Sequence, residues 1–164
     1  MDRVLRVLVV DDSAYVRKVI KQMLSRSPFI EVVGAARDGE EALEMVKQFE
    51  PDVVTCDLMM PVMDGVGFVR EQMLRSPLPI VIVSIADEGS ELALTALDSG
   101  AVDFIQKPTA LATEKIFEVS DELIEKVKAA AKVQMARLQT RAAREPVVSL
   151  PVDTPRAGLV DIVV

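Results

Sequence analysis

Short apolar runs with the character of β-strands alternate with amphipathic helical patterns throughout residues 7–107. The first run, residues 7–10, stops at Asp11, and the apolar residues at helical spacing that follow it end before Pro28. Apolar strands separated by helices are typical of a parallel, doubly wound sheet, because each right-handed crossover must hold a helix. The pattern therefore predicts an α/β fold with five parallel strands. The predicted strands are residues 7–10, 32–36, 53–56, 80–83 and 102–105.

Helical patterns fill the gaps between these strands, and Asp38 is placed to cap the second of them. A longer helix is expected over residues 113–140, which contain no glycine or proline. Acidic side chains crowd its first half and basic ones its second half, which suits the helix dipole. From residue 145 onward Pro146, Pro151 and Pro155 interrupt the chain as they would a linker. The four shorter helices are predicted over residues 16–24, 40–49, 66–75 and 90–99.

Charged or hydroxyl side chains stand at the ends of four predicted strands, and the carboxyl ends of parallel strands meet at one edge of a sheet. We expect these side chains to converge there. Three carboxylates brought together repel one another, so they need a divalent cation or a raised pKa. Oxygen ligands of this kind suit Mg²⁺, and a neighbouring lysine and hydroxyl predict a phosphoryl-transfer site with a carboxylate nucleophile. The residues are Asp11, Asp12, Asp57, Ser84 and Lys107.

The chain contains no histidine, which excludes Ser-His-Asp hydrolases, histidine metal sites and phosphohistidine kinases. Its 19 basic and 26 acidic residues give a net charge of −7, which argues against nucleic-acid binding. Cys56 is the single cysteine, so no internal disulfide forms and a cytoplasmic location is predicted. No apolar run approaches the roughly 18 residues needed to cross a bilayer, so no membrane insertion is expected.

Each site residue also has a plainer interpretation when it is taken alone. Asp12 and Ser13 could cap the following helix, Lys107 could be a solvated surface lysine, and Ser84 could be a loop hydroxyl. Their combination at the ends of four strands is far more specific, and it favours the phosphoryl-transfer site.

Two other functional classes are open at this point. A phosphatase with an aspartyl nucleophile would need a second aspartate two residues after Asp57, where Met59 stands. A flavin-binding module on a similar sheet would need a phosphate-cradling loop and stacking aromatic side chains, for which Tyr15 alone is insufficient.

Four segments, V-L-V-V-D-D-S, D-L-M-M-P-V-M-D-G, V-S-I and D-F-I-Q-K-P, resemble the receiver domain of bacterial two-component response regulators. The resemblance covers residues 4–128, and it implies a flavodoxin-like sheet with strand order 2-1-3-4-5 and an extended C-terminal helix. It also implies a cis peptide bond before Pro108 and a histidine kinase as the phosphodonor.

The resemblance further assigns roles to individual residues around one phosphoacceptor, Asp57. Phosphorylation is expected to draw Ser84 inward and to let Phe104 fill the vacated space. The implied magnesium ligands are Asp11, Asp12, Asp57 and the backbone carbonyl of Met59, the phosphoryl contacts are Ser84 and Lys107, and the switch residues are Ser84 and Phe104.

A narrower resemblance links the chain to the chemotaxis protein-glutamate methylesterases, through G-A-V-D-F-I-Q-K-P, E-L-I-E-K-V-K-A-A-A and D-I-V-V. It implies a receiver over residues 1–128 and a helical extension with a linker over 129–164. Residues 161–164 would begin a missing or separate methylesterase/glutaminase output domain. The chain would catalyse its own phosphorylation and dephosphorylation but carries no esterase triad. A stand-alone receiver that acts through protein contacts is the alternative. Two positions depart from the family pattern. Met59 stands where an acidic residue is common, and Ile85 stands where a second serine is common.

Overall fold

A computed structural model describes residues 3–87, 89–107 and 119–133 of the chain. Its strands and helices alternate as the sequence predicts. The strands are β1 (Leu5–Val10), β2 (Ile30–Ala36), β3 (Val53–Cys56), β4 (Ile80–Ser84) and β5 (Asp103–Gln106). The helices are α1 (Ala14–Leu24), α2 (Gly39–Phe49), α3 (Gly65–Arg75), α4 (Glu91–Ser99) and α5 over residues 119–133.

The five strands form one parallel sheet in the order β2-β1-β3-β4-β5. This order confirms the flavodoxin-like fold expected from the sequence. Val10, the last residue of β1, lies opposite Cys56, the last residue of β3. The residues that immediately follow these two strands are therefore neighbours at the carboxyl edge of the sheet.

The side chains of β1 alternate between two hydrophobic cores, one on each face of the sheet. Leu8 and Val10 pack with residues of α2, α3 and α4, whereas Val7 and Val9 pack with residues of α1 and α5. Burial on both faces explains why the strand is an unbroken apolar run rather than an alternating one.

Helices α1 to α4 each begin after a side chain that caps the first turn. Ser13, Asp38, Asp64 and Ser90 each accept a hydrogen bond from the backbone N–H three residues later. The predicted cap at Asp38 is confirmed. Helix α4 ends at Gly100, whose φ of 130° is a conformation that favours glycine.

Only β3 has both of its predicted boundaries: β1 begins two residues earlier, at Leu5, β4 ends one residue later, at Ser84, and β5 begins one residue later, at Asp103. Strand β2 begins at Ile30, because Ile30 pairs with Leu5, and β5 runs one residue further, because Gln106 pairs with Ser84. Within the predicted helix of residues 113–140, residues 119–133 are helical. The remainder of that helix, Pro108 with its peptide bond, and residues 134–164 lie outside the described residues.

The chain divides into two compact units, Met1–Ala131 and Lys132–Val164. Strands β1–β5 and helices α1–α4 belong to the first unit. In the described part of the chain, no helix is both long and apolar enough to cross a membrane.

Candidate functional site

Three carboxylates meet where β1 and β3 end. One oxygen from each of Asp11, Asp12 and Asp57 lies within 4.8 Å of the others. Asp57 extends the hydrogen bonding between β3 and β1 by one residue, because its N–H donates to the carbonyl of Val10 at 3.0 Å. Asp11 and Asp57 are buried, whereas Asp12 is exposed. The structure therefore brings together the three aspartates that the sequence placed at strand ends.

Lys107 reaches this cluster from the end of β5. Its Nζ lies 2.7 Å from Oδ2 of Asp11 and 3.5 Å from Oδ2 of Asp57, and its side chain is only 8% exposed. The backbone N–H of Lys107 donates to the carbonyl of Ser84, which joins the ends of β5 and β4. The plainer interpretation of Lys107 as a solvated surface lysine is wrong.

Asp11 has a partner at every polar atom. Its N–H donates to the carbonyl of Ala36, and its Oδ1 accepts from the N–H of Ser13 at 3.0 Å. Its Oδ2 accepts from Lys107 and its carbonyl from Nη1 of Arg17. Ser13 is the N-cap of α1, so the capping interpretation is right for Ser13.

Burial raises the pKa of Asp57 above its ordinary value. The charges of Asp11 and Asp12 also raise it, while Lys107 and the hydrogen bond from the N–H of Leu58 to Oδ1, 2.8 Å long, lower it. The contacts from Lys107 and from the N–H of Leu58 therefore do not fully offset the rise in the pKa of Asp57 that burial and the neighbouring negative charges cause. Further positive charge at the cluster would be stabilising.

Ser84 is the last residue of β4, and it is completely buried. Its Oγ accepts a hydrogen bond from the N–H of Ala86 at 3.3 Å. Ile85 between them is 67% exposed, so the β4–α4 loop turns an apolar side chain outward beside the buried hydroxyl.

Phe104 is buried in the core formed with α2, α3 and α4. Its strand, β5, lies at one edge of the sheet. Its N–H donates to Oδ1 of Asp103, and its carbonyl accepts from Nζ of Lys126 on α5 at 2.6 Å. Side chains thus bond both backbone groups of Phe104, as the outer edge of an end strand requires.

The loop from Leu58 to Asp64 runs beside the carboxylates and turns the side chain of Met59 toward solvent, 61% exposed. Val62 has a φ of 67°, the left-handed region that a β-branched residue rarely adopts. The N–H of Gly65 closes this loop by donating to the carbonyl of Leu58.

Gly65 is a site residue whose role the sequence analysis missed. A Cβ at this position would lie 2.3 Å from the carbonyl oxygen of Asp57 and 2.8 Å from the Cα of Leu58. Helix α3 can therefore start this close to β3 only with glycine at its first residue. The Asp64-Gly65 pair was visible in the sequence, but the backbone it packs against was not.

Comparison with known proteins agrees with this arrangement of strands and site residues. Residues 7–121 match the family model of the response regulator receiver domain. The chain belongs to this family. Among solved structures, the response regulator domain of Thermotoga maritima CheB superposes with a TM-score of 0.74 at 41% identity, covering 79% of this chain and 98% of that one.

Curated relatives extend the receiver family assignment. A protein-glutamate methylesterase/protein-glutamine glutaminase from Myxococcus xanthus is 54% identical over 128 residues, which are 77% of this chain and 37% of that protein. Its counterpart from Halalkalibacterium halodurans is 49% identical over 94% of this chain and 44% of that protein. The chain thus spans less than half the length of these relatives and is similar to the receiver part of the methylesterases.

A third comparison concerns a complex whose structure contains BeF₃ and Mg²⁺. The Borrelia burgdorferi CheX–CheY complex with BeF₃ and Mg²⁺ matches with a TM-score of 0.62 at 27% identity, covering 74% of this chain and 87% of that one.

Proposed function

We propose that Asp57 accepts a phosphoryl group from a phosphohistidine of a histidine kinase, and that this modification switches an output domain or partner. The observation that carries the proposal is the position of Lys107, which is buried and placed between the carboxylates of Asp11 and Asp57. A buried lysine facing a nucleophile candidate is suited to stabilise negative charge that develops there.

Magnesium fits the donor set. Asp11, Asp12 and Asp57 present carboxylate oxygens within 4.8 Å of one another, and burial and mutual repulsion leave the cluster short of positive charge. These three residues and the backbone carbonyl of Met59 would hold the ion. When bound, Mg²⁺ neutralises charge on the phosphoryl oxygens. The Borrelia complex, whose structure contains Mg²⁺ and BeF₃ and whose matched chain is similar to this one, supports this assignment.

The residues of the chain account for the transfer step. A carboxylate oxygen of Asp57 attacks phosphorus, the P–N bond of the phosphohistidine breaks, and its electron pair returns to the imidazole nitrogen. Leu58 holds Oδ1 through its N–H, and Lys107 faces Oδ2. Lys107 and the hydroxyl of Ser84 then bind phosphoryl oxygens. Because the chain has no histidine, the phosphohistidine must come from another protein or be replaced by a small phosphodonor.

The proposed switch concerns Ser84 and Phe104. Both side chains are buried in this structure, so their rearrangement on phosphorylation is a repacking of two buried groups rather than the burial of an exposed ring. The phosphoryl group adds negative charge, and a bistable element need shift by only a few kcal/mol to transmit it.

The proposed output is a methylesterase/glutaminase catalytic domain, supported by the names of relatives that are about half identical to this chain. A stand-alone receiver is the second candidate. The chain is proposed to catalyse its own phosphorylation and dephosphorylation. It is proposed to act in the cytoplasm without a nucleic-acid or membrane partner.

Hydrogen exchange tests the switch. The chain, phosphorylated by a small phosphodonor with Mg²⁺, should exchange differently from the untreated chain in residues 84–107 and 119–133. Asp57→Asn, treated in the same way, should show no difference. Identical exchange in both regions, with Asp57 demonstrably modified, would contradict the proposed output route.

A further inference from the structure

One guanidinium group lies beside the carboxylate cluster and bonds to its backbone. Arg17 stands on the second turn of α1, and its Nη1 donates to the carbonyl oxygen of Asp11 at 2.7 Å. The backbone N–H of Arg17 also donates, to the carbonyl of Ser13 at 2.9 Å. Arg17 therefore bonds to the backbone on both sides of Asp12. Within the described part of the chain it forms no ion pair with a carboxylate.

We propose that Arg17 is a positioning residue for the magnesium site, acting through the peptide plane that joins Asp11 to Asp12. This inference rests on the proposed function. The carbonyl of Asp11 and the Cα of Asp12 belong to one planar peptide unit, so a hydrogen bond to that oxygen restrains the point from which the Asp12 side chain extends.

Asp12 needs such restraint because its own side chain supplies none. It is exposed, and its carboxylate forms no hydrogen bond with any residue in the described ranges. Asp11 differs, since Ser13 and Lys107 bond both of its carboxylate oxygens. The direction of the Asp12 carboxylate thus depends on the backbone of the β1–α1 loop, and Arg17 bonds to that backbone.

Charge and position predict opposite effects for Arg17. A positive charge near the cluster repels Mg²⁺, so its removal should by Coulomb's law alone tighten magnesium binding. If Arg17 acts by positioning, its removal should weaken binding, as loss of groups that orient metal ligands generally does. The sign of the change therefore separates the two roles.

The experiment is a calorimetric titration of Mg²⁺ into the full chain and three variants. Arg17→Met should raise the Kd about tenfold. Arg17→Lys, which keeps the charge and a donor, should recover most of that loss. Lys18→Met is the matched control, because Lys18 is the exposed neighbour on the same helix and its loss removes the same charge. Its Kd should be unchanged or slightly lower.

A Kd for Arg17→Met equal to or below that of Lys18→Met would overturn the inference. The loss should also persist at high salt, where charge effects between exposed groups are screened. Far-UV circular dichroism checks the fold, and Arg17→Gln replaces the methionine variant if that does not fold. If the unmodified chain binds no Mg²⁺, the proposed function fails as well; if only the Arg17 effect is absent, the proposed function stands.

Discussion

Asp57 occupies a position that opposes its own ionisation. Burial raises its pKa, the charges of Asp11 and Asp12 add to this, and Lys107 offsets only part of it. A carboxyl group whose pKa is higher in the folded than in the unfolded chain binds more protons when folded. Its charged form therefore destabilises the fold above the folded pKa, and this cost disappears as the pH falls toward the ordinary value of 3.8.

Asp57→Asn should accordingly raise the free energy of unfolding at pH 7 in the absence of Mg²⁺, because the amide carries no charge to bury. The gain over the unmodified chain should shrink as the pH is lowered toward 4. Urea unfolding across this pH range measures it, with Asp98→Asn on the exposed face of α4 as the control for the chemical change. If the gain in the free energy of unfolding instead grew as the pH fell, the charged form of Asp57 would stabilise the fold, contrary to this prediction.

Gly65→Ala should destabilise the fold by about 1–3 kcal/mol, the usual cost of forcing an extra carbon into packed surroundings. The added Cβ would meet backbone atoms of Asp57 and Leu58, which cannot move aside as a flexible side chain can. Gly89→Ala is the matched control, because a Cβ at Gly89 meets no atom within 4 Å. Chemical denaturation compares the two variants. Equal stabilities would mean that α3 shifts away from β3 without cost.

At the scale of elements, one lysine of α5 bonds to the edge strand β5. Nζ of Lys126 lies 2.6 Å from the carbonyl oxygen of Phe104 and 3.3 Å from carboxylate oxygens of both Asp103 and Glu122. Burial acts to lower the pKa of Lys126, but Asp103 and Glu122 outweigh it and the pKa is raised. Lys126 is therefore a cation that joins the strand of Phe104 to helix α5.

Lys126→Met should lower the free energy of unfolding by about 1 kcal/mol, since a hydrogen bond from a charged group is lost at a partly exposed site. Amide exchange should become faster in β5 and α5. Lys132→Met, an exposed lysine on the same helix, should leave both quantities nearly unchanged. If the two variants behave alike, Lys126 adds nothing beyond its charge.

Elements were predictable wherever burial sets a periodic pattern. Strand β3, residues 53–56, is fully buried and has the predicted limits, because its apolar run is bounded by polar residues. Strand β2 begins two residues before its predicted start, since Ile30 and Glu31 pair with β1 but fit a loop equally well by pattern. The sequence also placed the aspartates at the correct sheet edge, because strand direction alone decides it.

Individual side-chain contacts were only partly predictable. The position of Lys107 at a strand end predicts that it lies near the aspartates, but its 2.7 Å contact with Asp11 depends on side-chain conformation. The same holds for the bond from Arg17 to a backbone carbonyl, which no local pattern contains. The strand-end rule indicated Lys107 and the resemblance to receivers gave it a role, but neither indicated Arg17, Gly65 or Lys126.

At the scale of the whole molecule, the chain is a receiver that covers 37% and 44% of the two methylesterase relatives described above. The proposed function depends on one chemical event, the transfer of a phosphoryl group to Asp57. The proposed kinase partner, the rearrangement of Ser84 and Phe104, and the control of an output domain all depend on that transfer.

The most direct measurement is therefore the intact mass and peptide map of the chain after incubation with a small phosphodonor and Mg²⁺. We expect the addition of one phosphoryl group on the peptide that contains Asp57, no addition in Asp57→Asn, and no addition from ATP alone. A phosphoryl group on another residue, an unchanged gain in Asp57→Asn, or labelling by ATP without a kinase would contradict the proposed function.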